Sequence, residues 1–265
     1  MEKINIQGVP ETMIQTLYAR ARESKKKNPK IYDEKSIEIV SKLDYDFSTA
    51  EQDALMSNGV IARTILLDRM VQDFVRQHPH ATIINIACGM DTRFYRVDNG
   101  TIRWYNLDLP ETIAVRERFL KGNGRVTMVA KSAMDASWAQ EIDKPQGAVL
   151  VVMEGLVMYL TEQDVKQIFT IIGQNFSDVT VVMETISPFA LKHVKEKSIE
   201  ASKAKFTWAL RSIQDVQSIA PKFHFVKEVS LAEGMKEMYP IYRVLGRISF
   251  IKNISSRLVV LYKKN

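Results

Sequence analysis

Residues 82–93, with the sequence TIINIACGMDTR, decide the fold of this chain. The first half of the stretch is short, apolar and rich in β-branched residues, which is typical of a buried strand in a parallel sheet. The second half is a turn of small residues around Gly89, where the lack of bulky side chains lets a ligand approach the backbone. The stretch therefore predicts an α/β domain with a ligand crevice at the carboxyl end of this strand.

Six further strand-like runs follow this one along the chain, and helical patterns separate several of them. The runs lie at residues 102–107, 125–129, 148–153, 179–183, 223–229 and 257–262. Apolar residues recur at helical spacing over 110–120 and 161–174, and Thr161 with Asp164 resembles a capping box at the start of the second segment. This alternation predicts a mainly parallel sheet of seven strands.

Two segments stand outside the alternation. Helical spacing of apolar residues runs from Thr12 to about Phe74, so residues 1–75 are expected to form helices that contribute to a cap. Residues 187–210 are too long for an ordinary connection, and their helix-like pattern predicts an inserted helical lid. The sheet domain is then expected to comprise residues 76–186 and 211–265.

Composition excludes several classes of protein. The 265 residues are 46% hydrophobic, as in a folded domain, and their formal net charge of +6 is too small to indicate nucleic acid as a partner. The single cysteine, Cys88, cannot form an internal disulfide, and no apolar run is long enough to span a membrane. The N-terminus also lacks the pattern of an export signal. We therefore expect a cytoplasmic protein without a membrane or nucleic-acid partner, and the pattern indicates no particular oligomeric state.

Acidic side chains stand at or just after four consecutive strands. Asp91 lies in the turn after the first strand, and Asp108, nineteen positions after Gly89, ends the second. Asp135 and Glu154 follow the third and fourth strands. An acid at the end of the second strand accepts hydrogen bonds from the ribose hydroxyls, and an acid after the third can accept a hydrogen bond from the amine of adenine. Any one of them is more typical of a loop cap, but together they predict a nucleoside site.

A nucleoside site of this kind suits a nicotinamide oxidoreductase or a methyltransferase that uses S-adenosylmethionine. A dinucleotide requires Gly-x-Gly-x-x-Gly, and here Ala87 and Thr92 replace two of the three glycines. Asp91 would repel a pyrophosphate, whereas it is compatible with ammonium and sulfonium charges. The turn favours methyl transfer. A third alternative, an RNA-directed or non-catalytic S-adenosylmethionine-binding protein, is suggested only by the net charge.

The residues indicate neither a metal site nor a catalytic base. The four histidines lack the spacing of metal ligands, and none of them follows a strand end. Cys88 is interpreted as a small residue beneath the turn. Because a carboxylate is already ionised at neutral pH whereas a phenol is not, the pattern favours carboxyl O-methylation of a small acid, and the catalytic residues stay unassigned.

Several motifs resemble those of the leucine carboxyl methyltransferase family. The resemblance is carried by residues 84–96 (INIACGMDTRFYR), 105–111 (YNLDLPE) and 154–161 (EGLVMYLT), and upstream by 17–23 (LYARARE) and 61–64 (IART). These motifs span roughly residues 12–161 in the order of the family. The sequence looks closer to the bacterial small-molecule branch, which includes polyketide carboxyl O-methyltransferases, than to the enzyme that acts on a phosphatase C-terminus.

The resemblance implies a class I methyltransferase fold, Rossmann-like with a helical cap, S-adenosylmethionine as methyl donor and a small-molecule acceptor. In that family, the position matching Arg63 holds the donor's carboxylate, and the position of Asp108 binds the ribose. Arg20 or Arg22 would support Arg63. Asp135 would meet the adenine and Glu154 would face the amino-acid portion. The donor-binding residues implied in this way are Arg20, Arg63, Ala87, Gly89, Asp91, Asp108, Leu109, Asp135, Ala136 and Glu154.

One position departs from the family pattern. The family turn reads Gly-x-Gly, and Ala87 occupies the place of the first glycine. Alanine disfavours positive φ, so we expect Ala87 to keep a negative φ.

Overall fold

The computed structural model of the protein describes residues 2–3, 9–193, 205–212, 214–245 and 255–264. The strands run over Glu2–Lys3 (β1), Leu43–Asp44 (β2), Thr82–Ile86 (β3), Arg103–Asp108 (β4), Val126–Ala130 (β5), Val149–Met153 (β6), Val179–Thr185 (β7), His224–Ser230 (β8) and Arg257–Lys263 (β9). The helices run over Val9–Ser24 (α1), Glu34–Lys42 (α2), Ser48–Gln52 (α3), Ala54–Gln77 (α4), Phe94–Val97 (α5), Pro110–Arg116 (α6), Glu162–Asn175 (α7), Pro188–His193 (α8), Gln214–Ile219 (α9), Leu231–Met238 (α10) and Tyr242–Leu245 (α11). Short 3-10 turns cover Ala136–Glu141 and Val157–Tyr159.

The central sheet has seven strands in the order β5-β4-β3-β6-β7-β9-β8. The first five are parallel, and β9 is antiparallel to both of its neighbours. This confirms the predicted seven-stranded, mainly parallel sheet. The chain continues outward in opposite directions from β3, to β4 on one side and later to β6 on the other, so a crevice opens at the carboxyl ends of these strands.

Helices cover both faces of the sheet, which explains the continuous apolar runs in its strands. Every residue of β3 and β6 is buried. On one face, Ile84 packs in a cluster that includes Ile168 of α7. On the other face, Ile83 packs in a cluster that includes Leu67 and Val71 of α4. Burial on both faces is what a parallel sheet requires of its side chains.

The N-terminal region is helical, as its apolar spacing predicts. We refer to α1, α2 and α3 as the cap helices. Met13, Ile14 and Leu17 of α1 form a cluster with Ile39 of α2 and with Met90, which lies in the turn after β3. This cluster brings the cap helices to the carboxyl end of the sheet. None of the helices in the described ranges combines the length and apolar character that a membrane span needs.

The segment expected to form a helical lid is helical only in part. Its helix is α8, residues 194–204 lie outside the described residues, and residues 205–210 are not helical. The prediction of helix over 205–210 is therefore wrong. The reason is that this backbone bonds to distant groups: the Thr207 N–H donates to the Met158 carbonyl at 2.7 Å, and the Leu210 N–H to Thr185 Oγ1 at 3.2 Å.

The turn after β3 contains a conformation that its sequence does not suggest. Ala87 has a φ of +54° and Gly89 a φ of +46°, so the expectation of a negative φ at Ala87 is wrong. Among the described residues, Ala87 is the only one other than glycine with a positive φ. A left-handed conformation costs an alanine about 1–2 kcal/mol. Local strain is thus stored at the mouth of the crevice.

Replacing this alanine is expected to stabilise the protein. Ala87→Gly removes the Cβ that disfavours positive φ, and should raise the free energy of unfolding by about 0.5–1 kcal/mol. Urea denaturation of both proteins measures the change. Ala81→Gly is the matched control, because Ala81 is buried and its φ is not positive. We expect that control to lose about 1 kcal/mol, and a loss in Ala87→Gly as well would contradict the strain.

Candidate functional site

A cavity of about 310 Å³, which we call the strand-end cavity, opens at the carboxyl ends of β3, β4 and β6. The turn after β3, the end of β4 and the loops after β5 and β6 form its floor and sides. Thr12, Met13, Thr16 and Arg20 of α1 supply a further wall. The cavity lies at the switch point of the sheet and has the size of small-molecule sites, which begin at roughly 300 Å³.

Eight of the ten predicted donor-binding residues line this one cavity. They are Arg20, Arg63, Ala87, Gly89, Asp91, Asp108, Leu109 and Glu154. Asp135 and Ala136 are not among the lining residues; Asp135 instead accepts a hydrogen bond from the Ser137 N–H at 2.9 Å and caps a 3-10 turn. Ser132, Ala133 and Met134 of the same loop line the cavity in their place. The adenine role of Asp135 stays a prediction.

Asp108 holds the two strand ends together. Its carboxylate accepts the Gly89 N–H at 2.7 Å and the Leu109 N–H at 2.8 Å. Burial raises the pKa of Asp108, although these backbone donors and the Thr112 hydroxyl oppose the shift. A carboxylate offers about four acceptor directions, so the side chain retains capacity for a ligand hydroxyl.

Four arginines and five carboxylates form a connected buried network beside the cavity. The members are Arg20, Arg63, Arg93, Arg96, Asp33, Asp68, Asp91, Glu154 and Glu184. Arg93, with only 1% of its side chain exposed, lies between three of the carboxylates. Its guanidinium contacts Asp68 at 2.8 Å, Asp91 at 2.6 Å and Glu154 at 2.6 Å. The charge of Asp91 is therefore neutralised locally.

Arg63 connects the network to the cavity wall. Its Nε lies 2.6 Å from Glu154 Oε1, and its Nη1 lies 2.9 Å from Glu184 Oε2. Burial alone would raise the pKa of Glu154, but Arg63 and Arg93 hold it well below its usual range. The pKa of Glu184 is raised by burial, despite the opposing charge of Arg63. The Gly155 N–H also donates to Glu184 at 2.8 Å.

Asp33 connects the cap helices to the same network. It caps α2 and accepts from Arg20 Nε at 3.0 Å and from Arg96 Nη1 at 2.8 Å. Burial opposes ionisation, yet the two arginines and the hydroxyls of Ser36 and Thr92 lower the pKa of Asp33 to about 2. Arg20 Nη2 also donates to the Met90 carbonyl at 2.9 Å. Buried charge thus ties the cap to the turn after β3.

Sequence reasoning missed Arg93, Arg96, Asp68 and Glu184. The signal that existed was the pair Arg93 and Arg96, three positions apart and directly after Asp91, which places two cations on one face of a helical turn. Cys88 is buried, and burial raises the pKa of its thiol, as suits a residue beneath the turn and not a nucleophile. Within the described ranges, no group of three His, Cys, Asp or Glu side chains is placed to hold a metal ion.

The sequence comparisons all match this chain to methyltransferases. The family described as leucine carboxyl methyltransferase matches residues 13–173. The tetracenomycin polyketide synthesis O-methyltransferase TcmP of Streptomyces glaucescens is 29% identical over 249 residues, which cover 92% of each protein. The S-adenosyl-L-methionine-dependent methyltransferase dpfgK of Gibberella zeae is 29% identical over 241 residues, which cover 83% of this chain and 81% of that protein.

Solved structures share the fold at low identity. A DUF574 family protein from Streptomyces avermitilis superposes with a TM-score of 0.63 at 12% identity, over 95% of this chain and 97% of that one. Magnesium protoporphyrin IX methyltransferase from Synechocystis PCC 6803 gives a TM-score of 0.51 at 11% identity, over 80% and 88%. These likenesses confirm the predicted class I methyltransferase fold.

Removing the central arginine is expected to destabilise the protein strongly. Arg93→Met leaves Asp68, Asp91 and Glu154 without their shared cation, and an unpaired buried charge costs about 3–5 kcal/mol. Chemical denaturation measures the loss in the free energy of unfolding.

The matched control for this substitution is Arg103→Met. Arg103 pairs with Asp143 at 3.0 Å, but both side chains are largely exposed. Exposed pairs contribute about 1 kcal/mol or less, so this variant should remain close to the wild type. Similar losses in the two variants would contradict a special role for the buried network.

The network also predicts a pH dependence of stability. Asp33 is more acidic in the folded protein, with a pKa of about 2 against the usual 3.8, so its stabilising contribution is complete above pH 4 and is lost as the pH falls towards 2. The full contribution is about 2 kcal/mol, of which about half is lost by pH 3. Unfolding free energies of the wild type and Asp33→Asn at pH 6 and pH 3 isolate it. We expect the wild type to lose about 1 kcal/mol more than the variant, and equal losses would exclude this assignment.

Proposed function

The chain belongs to the leucine carboxyl methyltransferase family, and on that premise we propose that it methylates the carboxylate of a small, polyketide-like acid. It is an S-adenosylmethionine-dependent methyltransferase. The polyketide class is supported by the name of its relative TcmP. The carboxylate acceptor rests on one observation, the lack of a suitable base among the described residues that line the strand-end cavity.

The charge of the residues that line the strand-end cavity fits the methyl donor. Two arginines and three carboxylates line it, which leaves one formal negative charge against the net positive charge of S-adenosylmethionine. Asp108 would hold the ribose hydroxyls, since an acid at the end of the second strand is placed for that contact. Arg63, supported by Arg20, would hold the carboxylate, with Glu154 beside the amino-acid portion.

The protein's part in the reaction is alignment and exclusion of water. When bound, the donor supplies a methyl group that is already activated towards nucleophiles. Contacts at Asp108 and Arg63 would fix its two ends, while Thr12, Met13 and Thr16 of α1 screen it from solvent. Holding two reactants in line can lower a barrier by about 7–11 kcal/mol. An ionised carboxylate has no proton to lose, so its methylation needs no base.

Among the described residues that line the cavity, no carboxylate is left free as a base for a phenol: Asp108 already accepts two backbone N–H groups, and its remaining capacity is the one assigned to the ribose. Within the described chain no histidine lines the strand-end cavity. Glu154, which does line it, is a weak base because Arg63 and Arg93 hold its pKa low. Glu184 is less acidic, but Arg63 and the Gly155 N–H occupy its oxygens. A carboxylic acid has a reference pKa of about 4 and reaches the site ionised, whereas a phenol near 10 does not.

Asp108→Asn tests the donor site. The amide would set an N–H against one of the backbone N–H donors at Gly89 or Leu109 and loses the charge that strengthens the ribose contact. We expect S-adenosylmethionine to bind at least tenfold more weakly, in line with about 1.5–3 kcal/mol for a hydrogen bond to a charged group. Isothermal titration calorimetry measures the change.

The exposed carboxylate of Asp143 provides the control for this substitution. Asp143→Asn should bind the donor as the wild type does. Denaturation of Asp108→Asn shows whether the turn itself has been damaged. Unchanged donor affinity in a folded Asp108→Asn variant would remove Asp108 from the site.

The acceptor class is tested with a labelled methyl group. We expect transfer from S-adenosylmethionine to members of a panel of aromatic carboxylic acids, with the label released by mild alkali as for a methyl ester. Phenols and amines lacking a carboxylate should remain unlabelled. Labelling confined to phenols or amines would overturn the carboxylate acceptor and leave the methyltransferase assignment intact.

A further inference from the structure

A second cavity of about 140 Å³, which we call the side cavity, adjoins the strand-end cavity. The two share the walls formed by Thr12, Thr16, Arg63, Gly155 and Tyr159. A single molecule can therefore be held by both. An engineered apolar cavity of roughly 150 Å³ binds benzene, so the side cavity has the size of one ring.

Two packed helices supply most of the wall of the side cavity. Glu184, whose charge is paired with Arg63, also lines the cavity. Thr12, Gln15 and Thr16 are three and four positions apart on α1, and Gly59 and Arg63 are four apart on α4. Residues at these spacings share one helix face. The apolar part of the wall comes from Met56, Val60 and Leu231.

Gly59 is an unfavourable residue for its place in a helix, and close packing against a neighbour does not explain it. It lies inside the 24-residue helix α4, where glycine costs about 0.5–1 kcal/mol relative to alanine. A Cβ placed on Gly59 meets no protein atom within 4 Å. Gly59 is half-buried and lines the side cavity, so a larger side chain at this position is expected to narrow that cavity. The glycine is explained if that space belongs to a ligand.

Gln15 lines the same cavity and carries a buried polar atom without a partner in the described part of the chain. The residue is 3% exposed, and its Oε1 has no hydrogen-bond partner among the described residues. An unsatisfied buried polar group costs about 1–3 kcal/mol. A ligand hydroxyl satisfies an amide in either orientation, because a hydroxyl both donates and accepts.

We propose that the side cavity is the acceptor subsite and that it takes a single aromatic ring bearing a hydroxyl group as well as the carboxylate to be methylated. The ring lies against Met56, Val60 and Leu231, and its hydroxyl bonds to Gln15. The carboxylate lies at the wall that the two cavities share, on the side that faces the strand-end cavity. This inference rests on the proposed carboxyl methylation and adds to it the shape and polarity of the substrate.

Binding of benzoate and the three hydroxybenzoates tests the proposal. Calorimetry is performed on the full chain saturated with S-adenosylhomocysteine, the demethylated form of the donor, so that no turnover occurs. At least one hydroxybenzoate should bind about tenfold more tightly than benzoate, because its hydroxyl satisfies Gln15.

Three variants and one control separate loss of the subsite from loss of the fold. Gln15→Leu should abolish the preference for the hydroxyl and keep benzoate binding, without loss of stability because a buried unsatisfied group is removed. Gly59→Ala should raise the melting temperature by a few degrees through helix propensity and yet weaken every benzoate. Gly59→Leu should abolish their binding. Gly124→Ala, at an exposed loop glycine with equally open surroundings, should change neither the melting temperature nor the affinity for any benzoate.

The outcomes distinguish this inference from the proposed function. If S-adenosylhomocysteine does not bind to the wild type, the donor site and the proposed function fail together. If it binds but hydroxybenzoates show no advantage over benzoate, or no benzoate binds, only the acceptor subsite is overturned. Benzoate affinities that are unchanged in Gly59→Leu overturn it as well.

Discussion

A buried charge must be paired, and in this protein that requirement connects the cap helices to the sheet. Arg93 is almost completely buried, and its guanidinium is matched by carboxylates from α4, from the turn after β3 and from the loop after β6. Transfer of an unpaired guanidinium from water to the protein interior would cost several kcal/mol. Burial of Arg93 therefore requires α4, the turn after β3 and the loop after β6 to pack around it. Asp33 extends the same constraint to α1 and α2 through Arg20 and Arg96. The cavity between these elements is thus shaped before any ligand arrives.

The composition of the network also determines what the cavity attracts. Five carboxylates against four arginines leave an excess of negative charge beside the turn after β3. Because Asp91 is neutralised by Arg93, the argument that Asp91 alone repels a pyrophosphate describes only part of the field. The excess belongs to the network as a whole, and it favours a ligand that carries an ammonium and a sulfonium charge.

Much of the fold could be predicted from the sequence because parallel strands buried on both faces are written as short, unbroken apolar runs. Asp108 and Gly89 could also be predicted from the sequence, since both stand at strand ends at a spacing that a nucleoside site requires. The ion network could not be predicted. Arg93 meets Glu154 across 61 positions, and Arg63 meets Glu184 across 121, and no local pattern records such a pairing. Residues 205–210 were predicted wrongly for the same reason, since their backbone partners, Met158 and Thr185, lie on other elements.

Three residues that depart from local rules lie around the two adjoining cavities. Ala87 adopts a backbone conformation that suits glycine. Gly59 lies inside a long helix, and the side-chain oxygen of Gln15 is buried without a hydrogen-bond partner among the residues that the structure describes. Each choice lowers stability by about 0.5 kcal/mol or more, and each residue lines one of the two adjoining cavities. Folding alone gives no reason for three such choices in one region, because commoner residues would stabilise each position. A ligand that needs the left-handed turn, the open space at Gly59 and the amide of Gln15 gives one reason for all three, and violations of this kind are expected where function competes with stability.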